Sequence, residues 1–155
     1  MKIELKVNGE PTVLEAAPHE FLTEALRRAG LVGTKRGCET GDCGACSVLL
    51  DGEEVPSCIL LAAQAAGHEV TTIEGLGDFR KPHPIQLAFV DNTAVQCGYC
   101  TPGMVIATKA CLDKKAAGEG LTEVEAREAL AAHVCRCTGY TKPIKAVMAC
   151  KGGDA

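Results

Sequence analysis

Eight of the ten cysteines fall into two groups of four. Cys38, Cys43, Cys46 and Cys58 open with the spacing C-x4-C-x2-C, and Cys97 and Cys100 are answered by Cys135 and Cys137. The C-x4-C-x2-C run followed by a distant cysteine is the plant-type spacing for a [2Fe–2S] centre. Two quartets predict two such centres in series and a chain that conducts single electrons. Zinc is the competing metal. Its quartets pair two short knuckles, which the first group does not do, whereas the second group taken alone leaves zinc open.

The loop Gly37-Cys38-Glu39-Thr40-Gly41-Asp42-Cys43-Gly44-Ala45-Cys46 sets a glycine beside or near every thiol. Glycine reaches backbone angles closed to other residues, so the chain can wrap an inorganic core and bring N–H groups to sulfur. In the second group, Cys97 and Cys100 would share one face of a helical turn. Cys135 and Cys137 would share a face only in an extended segment. Cys111 and Cys150 fall outside both groups: Cys111 reads as a core thiol on a helix, and Cys150 as a bystander in a frayed terminus. His19, His68, His83 and His133 are scattered and read as solvated or capping side chains, with His133 notable for lying two residues from Cys135.

An even number of cysteines also permits a disulfide framework in a secreted protein. Against this, residues 1–10 alternate charged and apolar residues and carry no apolar core of a secretory signal. The longest apolar stretch, residues 59–66, is interrupted by Gln64 and is too short to span a bilayer. A cytoplasmic, reducing setting follows, in which dense cysteines act as metal ligands. The formal net charge of −4 offers no basic stripe for nucleic acid. That argues against a DNA-reading redox sensor.

The elements that position these thiols divide into two regions of different character. Residues 1–76 read as α+β. Ile3, Leu5 and Val7 alternate with polar residues before an Asn8-Gly9 hairpin turn, and Thr12-Val13-Leu14 continues as a second strand. Phe21, Leu22, Ala25 and Leu26 have helical spacing up to Gly30. Ser47 to Leu50 and Glu54 to Pro56 form a hairpin about Asp51-Gly52. A helix over residues 58–66 and a strand over 69–73 complete the region. Residues 77–83 form a linker within a Gly- and Pro-rich stretch. Residues 84–155 read as four helices in a bundle: from Pro84 to about Asn92, from Thr101-Pro102 to about Lys115, from a Thr122/Glu125 capping box to about Ala132, and onward from Thr141.

With these residues in view, the chain resembles the iron–sulfur subunit of the molybdenum hydroxylases, the xanthine oxidase family. Gly33-Thr34-Lys35-Arg36-Gly37-Cys38 with Gly41-Asp42-Cys43-Gly44-Ala45-Cys46 resembles its N-terminal signature. Gln96-Cys97-Gly98-Tyr99-Cys100-Thr101-Pro102-Gly103 and Cys135-Arg136-Cys137-Thr138-Gly139-Tyr140 resemble its C-terminal ones. The resemblance implies a plant-ferredoxin-like (β-grasp) domain followed by a four-helix bundle, each holding one [2Fe–2S] cluster. It implies partners: a large subunit with a molybdopterin cofactor and a medium subunit with FAD. Electrons would pass from molybdenum to Cys97, Cys100, Cys135 and Cys137. From there they would pass to Cys38, Cys43, Cys46 and Cys58, then to FAD or another acceptor. Gln96, and the neighbourhood of Cys100, would contact the pterin. Two departures stand out: Ala132-His133 where the family commonly has Gly-Asn, and Ser47 where it usually has Thr. A free-standing two-cluster ferredoxin is the rival reading. Neither a phosphate-cradling glycine motif nor a nucleophile–base pair is present, so catalysis would belong to a partner chain.

Overall fold

The computed structural model describes residues 1–153. Strand β1 (Lys2–Val7) buries Ile3, Leu5 and Val7 and exposes Lys2, Glu4 and Lys6, the period-two pattern of a half-buried strand. Asn8 and Gly9 both take positive φ, 53° and 83°, which turns β1 tightly into β2 (Glu10–Glu15) with Ile3 opposite Leu14. Helix α1 (Leu22–Arg28) lays Leu22, Ala25 and Leu26 on the sheet. β3 (Ser47–Leu50) and β4 (Glu53–Pro56) form the second hairpin. β5 (Glu69–Thr71) lies between the hairpins, parallel to β1 and antiparallel to β3, giving a mixed sheet in the order β2-β1-β5-β3-β4.

Three local expectations are corrected. The helix expected over residues 58–66 shrinks to a 3-10 turn, Ala62–Ala65. Its backbone is claimed by distant partners instead: Leu22 N–H donates to Leu60 O (2.8 Å), Ala62 N–H donates to Glu20 O (2.8 Å), and Leu61 bridges Phe21. The last strand stops at Thr71, because Thr72 N–H turns away to the side chain of Asn8 (2.8 Å) and a short helix, α2 (Ile73–Leu76), begins. Cys97 and Cys100 do not share a helical turn. Gly98 between them takes φ 80°, and Cys100 stands only at the cap of α4 (Thr101–Leu112).

Beyond residue 83 the described residues form helices joined by loops. α3 (Pro84–Asp91) starts at His83, whose Nδ1 accepts the Ile85 N–H (3.2 Å). α5 (Glu123–Leu130) opens with the expected reciprocal cap: Thr122 N–H donates to Glu125 (2.8 Å) and Glu125 N–H to the Thr122 hydroxyl (3.3 Å). α6 (Thr141–Ala149) carries Pro143 in its first turn. α3 packs on α4 and α6, and α5 packs on the same two helices. Ile85, Phe89, Met104, Val105, Leu130 and Val147 are the bulk of their core. Cys150 belongs to that core too. It is buried and its thiol donates to Ala146 O (3.2 Å), so its place is not a frayed end. Cys111 is half-buried against the same core, and burial pushes its thiol pKa up.

α4 serves both regions. Met104 and Val105 point into the helical core, while Ile106 and Ala110 meet Leu49 of β3 in a separate buried contact. Ile106 is fully buried there. This seam fixes the sheet region against the helices, and both groups of cysteines lie beside it.

Candidate metal centres

The first group of thiols sits on the loop between α1 and β3, with Cys58 brought in just after β4. The chain coils so closely here that a Cβ on Gly37 would stand 2.5 Å from the Cys43 sulfur. Three backbone N–H groups converge on the Cys38 sulfur, from Thr40 (3.4 Å), Asp42 (3.3 Å) and Cys43 (3.4 Å). Cys43 Sγ accepts the Cys38 N–H in return (3.4 Å). The Thr40 hydroxyl and N–H, helped by Cys43, bring the Cys38 thiol down to about 6, since donors aimed at sulfur favour the thiolate. Cys46 and Cys58 are buried as a second pair. Burial and then the neighbouring Cys46 push Cys58 up to about 11, against the pull of the Gly41 N–H.

The second group is drawn from two loops. Cys97 and Cys100 precede α4, and Cys135 and Cys137 lie between α5 and α6. They also meet in pairs. Cys100 adjoins Cys135, and Cys97 adjoins Cys137, whose thiol is raised chiefly by that neighbour. Burial pushes Cys100 up to about 12, with Cys135 adding to the shift. At Cys135 burial opposes ionisation, but the Thr138 hydroxyl (3.0 Å) and backbone donors outweigh it, and its pKa falls. The Tyr140 hydroxyl shapes this loop. It accepts the Cys135 N–H (2.8 Å) and donates to His133 O (3.0 Å).

Among the described residues, no three of Cys, His, Asp and Glu converge on a single point as one ion would require. The thiols meet two by two: Cys38 with Cys43, Cys46 with Cys58, Cys97 with Cys137, and Cys100 with Cys135. Two pairs within one group offer the four cysteine donors that a two-iron cluster takes. Among the described residues no disulfide joins two cysteines. Gln96 and Cys97 are exposed, so one edge of the second group faces outward.

The groups are tied to each other. Val134 N–H, next to Cys135, donates to the carbonyl of Cys43 (3.0 Å). The Tyr99 hydroxyl, between Cys97 and Cys100, donates to Arg36 O. His133, expected to be solvated or capping, is instead buried at the seam. Its Nε2 lies 3.1 Å from Glu54 Oε1 and 3.4 Å from Ser47 Oγ. The two departures noted in the sequence, at positions 47 and 133, therefore touch. The spacing of residues could not reveal this contact, which spans 86 positions.

Residues 5–72 match the family described as "2Fe-2S iron-sulfur cluster binding domain", and residues 72–148 match "[2Fe-2S] binding domain". The chain is 46% identical over 149 residues to the xanthine dehydrogenase iron-sulfur-binding subunit of Escherichia coli O157:H7, covering 96% of this chain and 93% of that protein. Its fold matches a chain of quinoline 2-oxidoreductase from Pseudomonas putida 86 with a TM-score of 0.91 at 40% identity, covering 96% of this chain and 91% of the other. The aldehyde oxidoreductase of Desulfovibrio gigas matches with a TM-score of 0.89 at 39% identity over 96% of this chain, but there the match spans 16% of a much longer polypeptide.

Proposed function

Since the chain belongs to the iron–sulfur subunits of the molybdenum hydroxylase family, we propose that it is the electron-transfer subunit of such an oxidoreductase. It takes single electrons from a molybdopterin site on a large partner subunit and hands them to FAD on a medium subunit, or to another acceptor. Residues 1–76 are the ferredoxin-like domain, 77–83 the linker and 84–155 the four-helix-bundle domain, whose last two residues lie outside the described residues. Cys38, Cys43, Cys46 and Cys58 hold one [2Fe–2S] cluster, and Cys97, Cys100, Cys135 and Cys137 hold the other. A [2Fe–2S] cluster, when bound, supplies a one-electron couple whose potential answers to hydrogen bonds at sulfur and to solvent exposure.

The observation that carries the reading is the Val134–Cys43 hydrogen bond, a direct backbone link between two thiol groups that are each sorted into pairs. The chain's own residues do the rest. Thr40, Asp42 and Cys43 aim N–H dipoles at Cys38, which favours the thiolate that iron requires. Thr138 does the same for Cys135. Gln96 contacts the pterin of the partner in this reading, and its exposure beside Cys97 supports that role. Among the described residues no helix is long and apolar enough to cross a membrane, and cysteines kept for metal instead of disulfides suit a cytoplasmic setting.

Electron paramagnetic resonance of the reduced protein tests the reading: two distinguishable [2Fe–2S] signals are expected. One signal, or zinc on elemental analysis, overturns it. Native mass measurement tests the partnership. Co-purification with a large and a medium chain supports the subunit reading, and a lone chain supports a free-standing ferredoxin. Gln96→Ala should lower turnover of the assembled enzyme while both signals persist, and unchanged turnover removes that role.

A further inference from the structure

The seam between the two cysteine groups has little tolerance for movement. A Cβ on Gly103, in the first turn of α4, would stand 2.2 Å from the carbonyl oxygen of Gly44, and one on Gly44 would stand 2.5 Å from the His133 ring. Gly44 follows Cys43 directly, and His133 precedes Val134. The ring is thus wedged beside the Val134–Cys43 hydrogen bond. It is fully enclosed, and its Nδ1 meets no hydrogen-bond partner among the described residues. Nε2 is its only polar anchor there, facing Glu54 Oε1 at 3.1 Å and Ser47 Oγ at 3.4 Å. The Ser47 hydroxyl also donates to that Glu54 oxygen (2.6 Å), so the carboxylate draws on strand β3 and the His133 loop together.

We propose that His133 is a positioning residue: anchored through Nε2 to Glu54 and Ser47, it holds the 132–134 backbone so that Val134 N–H stays on the Cys43 carbonyl and the two cysteine groups remain coupled. The inference rests on the electron-transfer reading only for what the coupling is used for. The contact itself is a property of the chain. The loop that leaves α5 at Leu130 and delivers Cys135 and Cys137 to two different partners is held as well by the Tyr140 hydroxyl, which bonds Cys135 N–H and His133 O. Those bonds hold the backbone of residues 133–135, and the side-chain anchor adds the link to β3 and β4 that keeps the ring seated on Gly44. A ring bonded at one nitrogen in a closed pocket fixes direction as well as distance, which hydrophobic contact by itself does not.

The test uses the full chain as purified with its clusters and natural partners, as His133→Ala, His133→Gln and Glu54→Ala. Gln places an amide nitrogen where Nε2 stands and should rescue what Ala loses. Hydrogen exchange of the peptide spanning residues 131–137 reads the Val134 N–H directly. We expect exchange about tenfold faster in His133→Ala and Glu54→Ala, and close to the unaltered rate in His133→Gln. Paramagnetic resonance of the fully reduced protein should still give two cluster signals in every variant, with their mutual magnetic splitting reduced in the two Ala variants and restored in Gln. Unchanged exchange and splitting in both Ala variants, or a Gln variant as impaired as Ala, overturns the proposal. Should His133→Ala fail to fold, Glu54→Ala decides, because that side chain is partly exposed on β4. Failure of the unaltered protein to give two signals would overturn the electron-transfer reading instead, leaving the exchange result to decide the role of His133.

Discussion

The two cysteine groups are built in opposite ways. Three of the first four thiols lie within nine residues of one loop, and backbone N–H groups of that same loop point at the Cys38 sulfur. The second group is assembled from two loops that α4 and α5 separate, and a side-chain hydroxyl, Tyr140, replaces the coiled backbone in shaping one of them. Exposure differs as well: Cys46 and Cys58 are buried, while Cys97 and Cys137 are exposed although Cys100 is not. A site made by one loop depends on local backbone geometry. A site made by two loops depends on how helices pack, and its open edge lies beside the exposed Gln96.

The largest effects expected are those that separate the groups. Cys43→Ser should remove one cluster signal and two of four irons, and Cys135→Ser should remove the other signal, each leaving its counterpart in place. Iron analysis with paramagnetic resonance checks this, and loss of both signals from either substitution would mean the groups are not independent. Next is the seam. Ile106→Ala deletes a fully buried side chain between β3 and α4 and should cost about 3 kcal/mol. Denaturant unfolding measures that loss, and it should loosen the second group, whose Cys100 sits at the cap of α4, more than the first.

Acid should discriminate more gently. Glu125 is held down to about 2 by the Lys115 ammonium, then by the Thr122 N–H and hydroxyl. A depressed carboxylate contributes stability above its ordinary value near 4.5 and loses it as pH falls toward 2. The melting difference between the unaltered chain and Glu125→Gln should therefore be present at neutral pH and vanish in that window. A difference that persists at pH 2 would assign the effect to packing. The smallest effect is expected from Cys111→Ser and Cys150→Ser, which should leave iron content unchanged. Lost iron would place one of them among the ligands.

Much of the local structure was legible because its cause is local. Asn8-Gly9 demands a tight hairpin, Thr122 with Glu125 announces a helix start, and Pro84 suits a first turn. The spacing of Cys38, Cys43 and Cys46 carries its chemistry for the same reason, since a single glycine-bearing loop does the wrapping. Residues 58–66 misled because apolar composition favoured a helix, while backbone bonds to Glu20 and Leu22 draw that segment toward α1. Cys150 misled because nearness to a chain end says nothing about burial.

By itself, then, the sequence determined where most helices and turns begin, and its cysteine spacing pointed to the chemistry of sulfur and iron. Only the tertiary structure decided which thiol faces which, that Val134 touches Cys43, and that His133 lies buried against Ser47 and Glu54. The physical reason is range. Turn, cap and loop preferences act over a few residues and leave their mark in the residue types there. A contact between positions 47 and 133 exists only once α4 has packed on β3, and no local pattern encodes it.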